Sequence, residues 1–529
     1  MAKWQIFLQK NKIYILIFLI IFVVGIFLRV YKFHEFLIFG LDQSRDATLT
    51  KNIIENHQSL PLLGPHAMGT RFKIGPAYYY FQYLAAFIFG VAPQNLAYPD
   101  LLFSILAIPL LFLFLQKYFD KKVSLALTGL WSISFFAIKF SRFAWNPNSL
   151  PFFIILLLYA LLEVVDKEKQ KNKNWWLAIA GIALGIGVQL HTLSLLITPI
   201  VVMIFLWFKL DTNKAKFKYI GIIFAVAIFL NIPQIVSEIQ TGGRNTKDFI
   251  LGVEEKLKIH TDLTTDLYTD IACHVQANSM VISSFGNTAN CSFGNLIANE
   301  NGVVSLAIVW LRIILSFVFS ILGYSVLYYF WKKEAGMEKK DFLQLISLFV
   351  VASFVVFFPL ADDATDRYYL VFAFVPIILL GLLYNYLRKK SSHAVGIGIL
   401  ILTLLVIQNV ITLKKYFTPF QRVGLMEDSM LSENEGLANF ILTNMHGQTS
   451  AYIEQKQGDW RIMNYFLADK IFLIHMTKNI TSVDNTMPYF LITDIAHAKT
   501  IGQASEYLAG YKSMKQASFG VFTIIVFSK

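Results

Sequence analysis

Apolar residues fill this chain in long unbroken runs, not in the alternation of a half-buried strand or the single stripe of a surface helix. Eleven runs approach the roughly 20 residues a helix needs to cross a bilayer. They fall near 13–30, 99–116, 122–141, 149–165, 175–191, 193–210, 217–237, 302–330, 342–360, 368–387 and 394–413. The pattern predicts a polytopic α-helical membrane protein of about 11 transmembrane helices, or 12–13 if stretches such as 76–92 also cross. After 413 the pattern changes. Short strand-like runs at 471–474, 489–493 and 521–527 mix with helical stretches around 433–444 and 500–510. The chain therefore divides into a transmembrane module over 1–413 and a small α/β domain over 414–529.

Short basic segments separate alternate spans, at 116–122, 166–174, 209–218, 331–340 and 387–390. One orientation places all five, with the basic N-terminus, in the cytoplasm. It requires that 76–92 is not a simple crossing, and its aromatic start with the Gly90/Pro93 break suits a juxtamembrane or re-entrant segment. The first outer loop (31–75), the 141–148 turn, the long loop 237–301, the 361–369 stretch and the C-terminal domain then share the outer side. No small-residue cleavage site follows the first run, so it reads as an uncleaved anchor.

Composition sharpens this picture. Of 529 residues, 56% are hydrophobic and 15% charged, against about 25% charged in soluble chains. The +12 net charge sits in short loops, as orientation signals do, which disfavours nucleic acid as a partner. Cys273 and Cys291 share the long outer loop; in an oxidising compartment they are candidates for a disulfide, and two free thiols are the alternative.

Candidate chemistry gathers at the outer mouths of the spans. On a helix, Asp42 and Asp46 share a face at i, i+4 with Arg45 beside them. A partly desolvated carboxylate flanked by a cation suits a general base, whereas a helix N-cap is the structural alternative for Asp42. Arg71 and Lys73, beside glycines, suit a phosphate or lipid headgroups. Arg142, Trp145, Asn146 and Asn148 offer hydrogen bonds beside an apolar face, as a sugar requires, or form an interfacial turn. His191 follows Gln189 at a span end, where a structural role is the commoner one. Asp362, Asp363, Asp366, Arg367 and Tyr368 precede another span, where an arginine suits a lipid-linked phosphate. No metal motif occurs, and no cofactor is expected.

An anchor, an acidic first outer loop, a multi-span body and an outward C-terminal domain resemble the GT-C glycosyltransferases. The chain is most similar to the protein O-mannosyltransferase and aminoarabinose lipid A transferase branch, in prokaryotic members with an Asp-Gln-x-Arg-Asp loop. Asp42, Gln43, Arg45 and Asp46 carry the likeness, with Gly75–Pro76–Ala77–Tyr78 and Asp366–Arg367–Tyr368. Gln43 stands where the O-mannosyltransferases have Glu, which leaves open which first-loop carboxylate acts.

The resemblance implies an inverting transfer of a sugar from a polyprenyl-phosphate donor to a lipid, glycan or protein hydroxyl. The reaction would occur on the outer face of a prokaryotic cytoplasmic membrane. Asp42 and Asp46 would be catalytic; Arg45, Arg71, Lys73, Arg367 and Tyr368 would hold the donor phosphate. Arg142, Trp145, Asn146, Asn148, His191 and Asp366 would meet sugar or acceptor. Two rivals stand beside this reading. A transporter or flippase needs charges along the spans, and a lipid-linked glycan polymerase or ligase would use a carboxylate of the long loop such as Asp262, Asp266 or Asp270.

Overall fold

The computed structural model describes residues 2–67, 70–167, 172–259, 263–286, 291–294, 306–418, 429–444, 450–454, 460–467, 472–476, 489–494, 512–519 and 522–528. The helices in chain order are α1 Ala2–Val30, α2 Leu41–Glu55, α3 Ala77–Phe89, α4 Pro93–Leu96, α5 Tyr98–Leu115, α6 Lys121–Ile133, α7 Phe135–Lys139, α8 Leu150–Val165, α9 Lys173–Leu190 and α10 Thr192–Lys209. There follow α11 Asn213–Leu230, α12 Ile232–Thr241, α13 Arg244–Ile259, α14 Leu263–Ser283, α15 Leu306–Lys333, α16 Met337–Phe357, α17 Val375–Lys390, α18 Ala394–Tyr416, α19 Leu431–Asn444 and α20 Trp460–Leu467. Two 3-10 turns, Phe358–Asp363 and Asp366–Phe372, join α16 to α17.

All eleven apolar runs fall on helix, but length and apolarity together separate them. Among the described residues, six helices are long and apolar enough to cross a bilayer alone, and two bent pairs raise the number to eight. The other runs lie on α6, α8 and α9, of 13, 16 and 18 residues. At 1.5 Å per residue these cover roughly 20–27 Å of a core about 30 Å thick. Helix α3, with 13 residues, is equally short and stops at Gly90, whose φ of 91° few other residues adopt.

The bundle is tightest where side chains are smallest. A Cβ at Gly181 would lie 2.6 Å from Val226 Cβ, and one at Gly185 would lie 2.9 Å from Ala227 Cα, so α9 and α11 meet nearly backbone to backbone. Helix α8 is buried on nearly every side between α5 and α9.

Among its described residues, the region 237–301, expected as a loop, carries the helices α13 and α14 instead. Helix α13 leaves the left-handed pair Gly242–Gly243 (φ 63° and 77°) and presents Ile250, Leu251 and Val253 outward. Helix α14 is too polar to read as a span, yet it buries Asp270, His274, Gln276 and Asn278 against α15, α17 and α18. Polar side chains concealed this packing: Asn278 donates to Ser320 and Tyr324, and Gln276 donates to the Cys291 carbonyl. Cys273 and Cys291 are bonded, with Cα atoms 4.8 Å apart and an 18-residue separation. Cys273→Ser should therefore cost about 3 kcal/mol, read as a lower thermal midpoint that reductant reproduces in the wild type.

The C-terminal region carries a five-stranded mixed sheet in the order β2-β1-β3-β5-β4, with β1 Ser450–Glu454, β2 Phe472–Met476, β3 Tyr489–Asp494, β4 Lys512–Phe519 and β5 Phe522–Ser528. Strands β1–β2 and β1–β3 are parallel, whereas β3–β5 and β4–β5 are antiparallel. The predicted strands at 471–474, 489–493 and 521–527 correspond to β2, β3 and β5; the predicted helix at 500–510 lies outside the described residues. The C-terminal region is tied to the chain just before α2. Phe39 N–H donates to Ser429 O (2.9 Å), Leu431 N–H to Leu37 O (2.7 Å), and Asn434 Nδ2 to Phe39 O (3.1 Å). Tyr416 OH and Ser432 Oγ donate to the Phe36 and Glu35 carbonyls.

Candidate active site

Helix α2 begins after Gly40, whose N–H donates to Gln43 Oε1 at 3.0 Å. The amide of Gln43 thus serves the helix start, which gives this buried Gln a structural role. Asp42 lies in the first turn and is not the N-cap, since that place belongs to Gly40. A carboxylate there is favoured by the helix dipole, and its side chain is left to face the cavity.

Asp46 follows one turn later. Arg45 joins the two carboxylates, Nη1 to Asp42 Oδ1 at 2.9 Å and Nε to Asp46 Oδ1 at 2.8 Å. The environments differ. Asp42 is 37% exposed, and its Oδ2 accepts from Trp145 Nε1 at 3.1 Å. Asp46 is fully buried and accepts from Tyr79 OH at 3.0 Å on α3. Burial pushes the Asp46 carboxyl up to about 6, against the opposing pull of the Arg45 charge.

Asp42 and Arg45 open onto a cavity of about 890 Å³. Its far wall comes from several elements. The paired segments 64–67 and 70–75 contribute His66 and Arg71. Their base closes because Gly64 and Gly75 carry no side chains: a Cβ at Gly64 would lie 2.1 Å from Gly75 O, and one at Gly75 would lie 2.4 Å from Gln189 Cγ. Burial and the neighbouring Lys73 lower the His66 pKa. The 145–149 turn is braced by Asp100, which accepts from the Trp145 N–H and Ser149 Oγ. It brings Trp145 and Asn146 into the cavity. Arg367 stacks on Trp145 and Tyr368 (5.3 Å to each ring centre), and the His191 ring meets Tyr368 edge-on at 5.1 Å. His191 Nδ1 also accepts from the Leu193 N–H, capping α10. Helix α13 completes the enclosure with Asp248 and Glu255.

Nine candidates therefore converge on one region: Asp42, Arg45, Arg71, Trp145, Asn146, His191, Arg367 and Tyr368 line the cavity, with Asp46 buried directly behind. Four do not, each for a physical reason. Arg142 is fully buried and donates to the carbonyls of Arg29 (2.7 Å) and Lys32 (2.8 Å), closing the C-terminus of α1 between Phe33 and Phe417. Asn148 turns inward to the Phe143 carbonyl. Asp366 forms a buried ion pair with Lys139 Nζ at 2.6 Å. Lys73 is occupied at its backbone by Asn245 and lies outside the lining.

Of the long-loop carboxylates, Asp266 and Asp270 are buried on α14 away from the cavity, and Asp262 lies outside the described residues, as do the side chains of Asp362 and Asp363. Among the described residues, no group of three or more His, Cys, Asp or Glu is placed to hold a metal ion.

Sequence reasoning missed His66, Tyr79, Asp100, Lys139, Asp248 and Glu255. Asp100 had a usable signal, a carboxylate inside an apolar run, which a bilayer tolerates only with partners. Lys139, a cation inside the run 122–141, carried the same signal; the other four had none, because their importance arises from contacts across the fold.

The cavity sits in a known architecture. Residues 73–233 match the family described as dolichyl-phosphate-mannose-protein mannosyltransferase. ArnT from Cupriavidus metallidurans superposes with a TM-score of 0.54 at 10% identity, covering 98% of both chains; its form bound to undecaprenyl phosphate gives 0.52 at the same identity and coverage. The archaeal oligosaccharyltransferase AglB from Archaeoglobus fulgidus, in complex with an inhibitory peptide and a dolichol-phosphate, gives 0.51 at 13% identity. That match covers 86% of this chain and 64% of AglB, so this chain spans less than two thirds of that protein. No curated protein matches the sequence. The chain is a polytopic membrane protein with the fold of the GT-C superfamily of membrane glycosyltransferases.

Proposed function

We propose that this protein is an inverting glycosyltransferase that moves a sugar from a polyprenyl-phosphate donor to an acceptor hydroxyl on the outer face of a prokaryotic cytoplasmic membrane. One observation carries the reading: Asp42, bridged through Arg45 to the buried Asp46, faces Arg71 and Arg367 across one cavity where apolar helices end. The fold is that of a protein known with undecaprenyl phosphate bound. The disulfide supports an oxidising, non-cytoplasmic side for this region.

In the reaction, Asp42 takes the proton of the acceptor hydroxyl as its oxygen bonds to the anomeric carbon from the face opposite the phosphate. The bond from that carbon to the phosphate oxygen breaks, and the lipid phosphate leaves with an additional negative charge that Arg71 and Arg367 offset. Arg45 aims Asp42, with buried Asp46 as its counterweight. Trp145 and Tyr368 provide apolar faces for the sugar ring, and Asn146 and His191 lie beside them.

The direct test is transfer of labelled sugar from polyprenyl-phosphate donors to cell-envelope acceptors by the purified protein. Transfer establishes the activity; no transfer from any such donor, by protein with an unchanged thermal midpoint, refutes it. A second expectation concerns pH. Asp46 takes up its proton as pH falls through about 6, which loosens Arg45 from its buried partner. Transfer should rise with pH through that region, and Asp46→Asn should abolish this acid limb. For stability the sign is opposite. The folded state holds this proton at pH values where the unfolded carboxyl has lost it, so Asp46 lowers stability as pH rises from about 4 to 6.

A glycan polymerase or ligase remains a second reading, because the cavity includes Asp248 and Glu255 from the 237–301 region. It requires a carboxylate from α13, so Asp248→Ala with Glu255→Ala separates the two. Transport finds less support. The buried charges Arg29, Arg142, Lys139 and Asp366 are engaged by backbone carbonyls or by each other and do not line a path.

A further inference from the structure

On the opposite side of the bundle from the candidate active site, α1, α6 and α18 leave a groove of about 690 Å³. It is lined by Ile13, Ile17 and Ile21 of α1, Leu125, Ala126, Gly129 and Leu130 of α6, and Leu402 and Val406 of α18. At one end stand two lysines, Lys12 and Lys122. We infer that this groove binds one anionic phospholipid of the leaflet on the basic side of the bundle, with its phosphate between Lys12 and Lys122 and its acyl chains along the α1–α6 seam.

Three observations carry the assignment. The first is charge. Among the described residues, no carboxylate pairs with Lys12 or Lys122. The nearest acidic side chain in sequence, Asp120, is committed to Arg388 at 2.7 Å and to the Val123 N–H that begins α6. The neighbouring Lys121 is turned to Asn11 Oδ1. Two exposed cations are therefore left at the mouth of an apolar slot, an arrangement that recognises an anionic headgroup with hydrocarbon attached.

The second is depth. Lys12 to Ile21 is nine residues and Lys122 to Leu130 is eight, on helices that run side by side from the same end. At 1.5 Å per residue the groove is about 12–14 Å deep, close to half of a ~30 Å hydrocarbon core. That fits acyl chains within one leaflet. A transmembrane helix from a second copy would need contact over the whole thickness.

The third is shape. Gly129 forms part of the groove floor, where a Cβ would lie 3.5 Å from Ile21 Cδ1. The absent side chain leaves a recess between two otherwise packed helices. This site is independent of the proposed transfer reaction, which lies beyond the other ends of α1 and α6.

Native mass spectrometry of the purified full chain, with phosphatidylglycerol and phosphatidylcholine added in equal amounts, tests the inference. Wild type should retain one phosphatidylglycerol in preference to phosphatidylcholine. Lys12→Gln with Lys122→Gln should reduce the preference by up to about thirtyfold, as expected for two headgroup lysines. Gly129→Leu keeps both lysines but fills the recess, and should reduce retention of both lipids. Equal retention of the two lipids by wild type would overturn the site, as would a preference that survives the double lysine variant or retention that survives Gly129→Leu. A dimer that dissociates on Gly129→Leu would instead assign the groove to a second copy and equally overturn it.

Discussion

Asp42→Asn should lower sugar transfer by about 10²–10⁴-fold, the range associated with loss of a general base, while leaving the thermal midpoint of the protein unchanged. The two halves of this expectation have separate causes. Activity should fall because an amide cannot accept the acceptor proton. Stability should hold because Asp42 contributes little to folding: it is 37% exposed, the helix is capped at Gly40, and Asn can still accept from Trp145 through its amide oxygen. Asp46→Asn places an uncharged group at a fully buried position beside Arg45 and Tyr79, so it should perturb both midpoint and pH profile. Initial rates at saturating donor, with midpoints measured on the same samples, separate the two residues. Full activity in Asp42→Asn would remove it from the base role and direct attention to Asp46 and then Asp248.

The second large effect concerns stability. Asp366→Ala should destabilise the protein by about 3–5 kcal/mol, because it leaves Lys139 as a buried cation without its carboxylate. Both side chains are only 9% exposed, so solvent cannot replace the lost partner. Replacing the pair together, with Lys139→Met and Asp366→Leu, should recover much of the loss, since removing both charges also removes their desolvation cost. If Asp366 touched sugar, the single variant would instead raise KM with little change in midpoint. Detergent-solubilised thermal unfolding alongside donor titration distinguishes these outcomes.

These residues show where sequence reasoning holds and where it stops. The Asp42–Arg45–Asp46 cluster was legible because it is local: helical spacing alone brings i and i+4 together, and the side chains then have few alternatives. Arg367 and Tyr368 were legible because they stand at the mouth of a span, where an arginine suits a lipid-linked phosphate. Arg142 and Asp366 have the same local appearance, yet the fold turns one onto the carbonyls at the end of α1 and the other onto Lys139. No local pattern distinguishes Asp366 from Arg367, its neighbour, because the difference lies in which distant element each meets.

The fold divides in the same way. Long apolar runs determined the membrane class, since twenty apolar residues have few other stable arrangements in a bilayer; which of the eleven runs cross alone was left to the structure. The lysines and arginines of short loops predict an orientation. The sequence alone also determined the acidic pair. Only tertiary structure decided that α14 is a buried polar helix, because Asn278, Gln276 and their partners satisfy one another only after packing. Only tertiary structure brought His66, Trp145, Asp248 and Arg367 around one cavity. It likewise tied the start of α2 to Ser429, Leu431 and Asn434 of the C-terminal region. Periodicity and charge are properties of neighbours along the chain; a site built from residues hundreds of positions apart exists only once packing has chosen which faces meet.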